Sequence, residues 1–139
     1  MKTVYFDANF GYPWVTGLSH IFMMRRDREP FLNHIFSFSQ EGEEDHIWIP
    51  KLNKQEHVIV SGDRGRSKTK PRLPQVCKQY QITHILFSSA AHHLTKFEKA
   101  RAIITLWPQI VETFEASLGS RYQIKHEAKK QRCIMAQIG

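Results

Sequence analysis

Apolar residues recur along this chain in two alternating rhythms. Lys2 to Asp7 is a short β-type run that ends in an acid. Trp14, Val15, Leu18, Ile21 and Phe22 then fall at helical spacing, with Pro13 placed to begin that helix. His34 to Phe38 reads as a short strand, and Trp48, Ile49 and Leu52 share one helical face. His57 to Ser61 is a strand rich in β-branched residues, Leu73 to Tyr80 a short helix, and Ile82 to Phe87 a further strand. The longest helix signal follows Thr95, which has Glu98 at capping-box spacing. Its apolar stripe runs through Phe97, Ala100, Ile104, Trp107, Val111, Phe114 and Leu118, with Gly119 placed to stop it. Pro108 is expected to kink or divide this helix. Arg121 to His126 resembles a last strand, and the tail from Glu127 onward is basic and weakly patterned.

Strands separated by helices imply an α/β domain with a mainly parallel sheet covered on both faces. With no internal repeat and no long linker, one domain over residues 1–126 is expected, followed by a loosely held tail over 127–139. In such sheets ligands bind beyond the carboxyl ends of the strands, near the point where strand order reverses.

Composition narrows the class. Apolar residues make up 41% of the chain, which excludes a mainly disordered protein. No apolar run approaches the roughly 20 residues needed to span a bilayer. Met1 and Lys2 lead directly into a strand without a signal-peptide pattern, so a cytoplasmic protein with no membrane partner is expected. Cys77 and Cys133 fit two reduced thiols better than a disulfide or a metal pair. The formal net charge of +7 suits a polyanionic partner such as nucleic acid, although scattered surface lysines give the same sum.

The candidate chemistry lies in acids at element ends. Asp7 ends the first strand and Asp63 lies just past the strand at 57–61. If both strands are central and parallel, the two carboxylates reach the same sheet edge. Asp45, or its neighbour Glu44, precedes the helix of Trp48 and can point into the same cleft. Carboxylates sharing a cleft repel one another unless a cation neutralises them, and hard oxygen ligands suit Mg²⁺ or Mn²⁺. Each acid also has a plainer reading: Asp7 and Asp45 as helix-capping residues, Asp63 as a turn residue after Gly62.

Three segments carry a resemblance to a known family. They are Val4-Tyr5-Phe6-Asp7-Ala8-Asn9, Asp45-His46-Ile47-Trp48-Ile49 and Val58-Ile59-Val60-Ser61-Gly62-Asp63. In order and spacing they resemble the PIN-like nuclease domains, in particular those related to VapC-type toxins of bacterial toxin–antitoxin pairs. The resemblance spans roughly residues 2 to 90. It implies a three-layer α/β/α sandwich and divalent-metal-dependent cleavage of RNA. It also implies a cognate antitoxin protein and a homodimer. Carried over by position, Asp7, Asp45 and Asp63 become the metal-holding, catalytic acids. Glu44, Asn9 and Ser61 stand behind them, the last two to position water or a carboxylate. Two positions depart from the pattern: His46 stands where a second helical acid is expected, and the strand at 82–87 runs into Ser88-Ser89 rather than a fourth acid.

Other stretches carry weaker signals. Arg64, Arg66, Lys68, Lys70 and Arg72 alternate after Asp63, either as a solvated loop or as a clamp for RNA phosphates. The same stretch nearly spells a phosphate-binding glycine loop, but Ser67 replaces its second glycine and Pro71 and Pro74 oppose the helix that should follow. His92-His93 lack a partner at metal-ligand spacing and read as a polar loop. Ser88 has no Gly-x-Ser-x-Gly setting, and Asp7-x-Asn9 lacks the second acid of an aspartate phosphatase. The leading expectation is therefore a metal-dependent ribonuclease toxin. The alternative is a non-catalytic interaction protein of the same fold.

Overall fold

Thr3–Phe6 forms the first strand, β1, and all four of its side chains are buried. Continuous burial of an apolar run is what a central parallel strand requires. The computed structural model describes residues 2–22, 29–62 and 73–139. The elements after β1 are α1 (Tyr12–Ile21), β2 (Phe31–His34), α2 (Asp45–Trp48), β3 (His57–Ser61) and α3 (Leu73–Gln79). They continue with β4 (Thr83–Phe87), α4 (Ser89–His92), α5 (Lys96–Glu112), β5 (Arg121–Glu127) and β6 (Arg132–Gln137). The sheet order is β2-β1-β3-β4-β5-β6. The first five strands are parallel and β6 runs antiparallel to β5. The α/β class and the mainly parallel sheet are as expected.

Alternation along the strands divides the core in two. Val4, Phe6, Val58, Val60, Ile85 and Phe87 join Val15 and Leu18 of α1 and Ile103, Leu106 and Ile110 of α5. Tyr5 and Ile59, on the intervening positions, join Trp48, Ile49, Leu73, Val76 and Cys77. Each fully buried Ile or Phe side chain contributes about 1.5–3 kcal/mol relative to exposure.

Several local expectations are corrected. The strand near His34 lies at Phe31–His34, and Ile35–Ser37 form a 3-10 turn instead. The cause is local: the His34 side chain accepts the Phe36 N–H and so turns the backbone there. In α5 the Thr95–Glu98 capping box forms, but the buried stripe is Lys99, Ala102, Ile103, Leu106, Trp107 and Ile110. Phe97, placed in the expected stripe, is 89% exposed, and Ile104 and Leu118 are exposed too. Apolar side chains cover more than half of this helix's circumference, so spacing alone does not choose the face. Packing under β1, β3 and β4 does.

Pro108 lies within α5 without dividing it. Its missing hydrogen bond would go to the carbonyl of Ile104, and both residues lie on the exposed side of the helix. Gly119 does not end the helix, which stops at Glu112. It supplies a left-handed turn (φ +78°) before β5. Residues 127–139, expected to be loosely held, carry β6, which pairs with β5 from Tyr122–Gln137 to Glu127–Arg132. Among the described residues no helix is long and apolar enough to cross a membrane.

Candidate functional site

From β1 the chain moves to one side to form β2, then returns to the other side to form β3. The carboxyl ends of β1 and β3 therefore flank the reversal of strand order, where a crevice opens in folds of this kind. Asp7 sits at that point. Its N–H donates to the Val60 carbonyl (3.0 Å), and the residue is only 4% exposed. A short turn holds its carboxylate. The Asn9 N–H donates to Oδ1 (3.1 Å), the Asn9 amide to Oδ2 (3.3 Å), and the Phe10 N–H to the Asp7 carbonyl (3.1 Å). Asn9 thus touches the candidate acid directly.

Asp45 opens α2 and is half-buried. Burial pushes the Cys77 thiol of α3 well up; the negative charge of Asp45 adds to this, Arg121 opposes it, and Asp7 adds again. Asp45 opens α2, which packs beside α3 on the flank of Tyr5 and Ile59, and Asp7 stands two positions beyond Tyr5 at the end of β1. Glu44 stands at the N-cap of α2 and forms an ion pair with His46 (3.3 Å) when the imidazole is charged. The expectations for Asp63 as a metal ligand, and for Arg64, Arg66, Lys68, Lys70 and Arg72 as an RNA clamp, lie outside the described residues. Among the described residues no three His, Cys, Asp or Glu side chains gather at metal-binding distance.

Ser61 is fully buried, and its partner is a residue the sequence did not single out. Its Oγ lies 2.7 Å from His84 Nε2. Burial first, then the charge of Arg121, pushes His84 down to about 3, so it is neutral near pH 7. His84 Nδ1 has no hydrogen-bond partner among the described residues. The pair has no access to solvent, which fits bracing of the strand end rather than nucleophilic chemistry.

Two further groups border the edge. Gly62 carries the ring of His92 directly above its Cα: a Cβ there would fall 2.4 Å from Nδ1. His92, expected in a loop, belongs to α4, which is capped by Ser88 through a hydrogen bond from the Ala91 N–H (3.3 Å). Lys99 is nearly buried. Its ammonium donates to the His92 carbonyl (3.1 Å) and lies over the rings of Phe10 (5.4 Å) and Trp14 (5.7 Å). Burial and the neighbouring Lys96 charge lower its pKa.

No periodicity marks a strand histidine such as His84 as a brace, because in the sequence it looks like any other strand residue. A separate cleft of about 440 Å³ lies between α5 and β6, lined in part by Arg101, Leu106, His126, Cys133 and Met135. It contains none of the candidate acids. No protein-family model, curated protein or solved structure matches this chain.

Proposed function

We propose that this chain is a divalent-metal-dependent ribonuclease of the PIN-like kind, with the α/β/α sandwich of that family, acting as the toxin of a toxin–antitoxin pair. The observation that carries the reading is the buried Asp7 at the reversal of strand order, with Asp45 at the start of α2, whose Trp48 packs with Tyr5 and Ile59. The donor set suits the ion: carboxylate oxygens are hard ligands for Mg²⁺ or Mn²⁺, and no soft sulfur belongs to it. Asp7, Asp45 and Asp63 would hold the cation, and Asn9 would fix the orientation of the Asp7 carboxylate. A bound Mg²⁺ or Mn²⁺ supplies charge stabilisation of the scissile phosphate and a more acidic attacking water. Arg64, Arg66, Lys68 and Lys70 would grip flanking phosphates without reading sequence. A cognate antitoxin and a homodimer belong to the same proposal.

The second reading is a non-catalytic interaction protein of the same fold. It draws on His46 in place of an acid and on Ser88, which caps α4 where a fourth acid would stand. One experiment separates the two. Wild type is expected to cleave single-stranded RNA with Mn²⁺ and not with chelator, and Asp7→Asn and Asp63→Asn to lose cleavage while staying folded. Equal cleavage by wild type and both variants, or none by any, sinks the ribonuclease reading.

A further inference from the structure

His34 ends the edge strand β2 and is 2% exposed, its ring set against Tyr12 (5.2 Å) and Phe36 (4.5 Å). Both ring nitrogens are engaged. Nε2 lies 2.7 Å from the carbonyl of Phe10, and Nδ1 lies 3.1 Å from the N–H of Phe36. A carbonyl only accepts and a backbone N–H only donates. Only the neutral ring with its proton on Nε2 satisfies both at once. Phe10 is the last residue of the turn that holds Asp7: its N–H donates to the Asp7 carbonyl, Asn9 donates to both carboxylate oxygens, and its own carbonyl is the one that His34 grips. This histidine therefore ties the edge strand to the turn that presents the acid, across 24 residues of sequence.

We infer that His34 is a positioning residue: its Nε2–H···O=C bond to Phe10 fixes the Asp7–Phe10 turn and so the carboxylate offered to a divalent cation. The cation half of this inference rests on the ribonuclease reading above. The ring touches neither the acid nor a substrate and acts through the turn alone. Burial depresses its basicity, which keeps the ring in the form the two bonds need.

The test uses the full chain and three readouts. In wild type, imidazole ¹⁵N shifts are expected to show His34 as the Nε2–H tautomer; an Nδ1–H tautomer overturns the inference without any variant. His34→Phe keeps a ring between Tyr12 and Phe36 but no donor, whereas His34→Gln keeps a donor toward Phe10. Without metal, the Asn9 and Phe10 amides should exchange at least about tenfold faster in His34→Phe and near the wild-type rate in His34→Gln, with β3 and β4 unchanged. Calorimetric titration with Mn²⁺ should follow the same order, about tenfold weaker in His34→Phe and restored in His34→Gln. Unchanged exchange in His34→Phe overturns the positioning role whatever Mn²⁺ does. Faster exchange with unchanged Mn²⁺ affinity overturns its link to the cation. Faster exchange in a protein whose wild type binds no Mn²⁺ overturns the metal reading and leaves the turn latch standing.

Discussion

Gly62→Ala is a small change with a large expected effect. Gly62 joins β3 to Asp63, and an added Cβ would lie 2.4 Å from His92 Nδ1, 2.5 Å from Cε1 and 2.7 Å from Cγ. Three ring atoms within 3 Å cannot all be relieved by a minor rotation, and the ring is backed by Phe10 at a centroid distance of 5.1 Å. Overpacking of this kind costs about 1–3 kcal/mol. The φ angle of Gly62 is not left-handed, so Ala also gains about 0.4–1 kcal/mol from a less flexible unfolded chain. The net is a loss of about 1–2 kcal/mol, equivalent to a Tm lower by roughly 3–10 °C for a chain of this size. The decisive assay is a double-mutant cycle by thermal or urea unfolding. His92→Ala should cost stability alone, yet Gly62→Ala should cost almost nothing in its presence, giving a coupling of about 1 kcal/mol or more. Additive losses, or a neutral Gly62→Ala in the wild-type background, would refute the contact. In the ribonuclease reading, Gly62→Ala also weakens Mn²⁺ binding and His92→Ala restores it, because the displaced backbone leads directly into Asp63.

Two further outcomes are expected. Ile103→Ala should destabilise by about 2–5 kcal/mol because its side chain is fully buried, whereas Ile104→Ala next to it should lie within about 0.5 kcal/mol of wild type; similar losses at both positions would reject the observed phase of α5. Stability should fall on acidification, since His34 and His84 are held neutral in the fold by burial and gain protons more readily when unfolded. Their contribution is complete above the unfolded value of about 6.5 and is lost as pH falls, for His84 down to about 3, amounting to several kcal/mol. Urea midpoints from pH 7.5 to 4 should show this, with a shallower slope in His84→Gln, and an unchanged slope would count against a neutral buried His84.

Element type was legible wherever one rhythm dominated. β3 reads as a strand because Val58, Ile59 and Val60 are β-branched in a row, and the α5 start is announced by the Thr95–Glu98 pair. The face of α5 was not legible, because Ile103, Ile104, Leu106, Trp107, Ile110 and Val111 satisfy more than one helical stripe. β6 escaped because Arg132–Gln137 is only half-buried at a sheet edge and lacks alternation. At the candidate site, the strand-end position of Asp7 and its contact with Asn9 could be anticipated from order and spacing. The supports could not. His34, His84 and His92 each act through a partner more than 20 residues away, and no local pattern encodes that pairing.

The antiparallel β6 has a practical consequence for handling the molecule. Because β6 reverses direction, it returns the chain to the amino edge of the sheet, where the Arg121 N–H donates to the Gly139 carbonyl (2.9 Å). β1 starts on that same edge, with Thr3 N–H donating to the Glu56 carbonyl (2.8 Å). Residues 2 and 139 therefore emerge at one pole, and Asp7 faces the other, a strand length of roughly 15 Å away. They are also spread sideways by four strand spacings, about 19 Å. An affinity handle, a fluorophore or a sensor-chip tether joined beside either residue would leave the carboxyl edge that holds Asp7 turned away from the support.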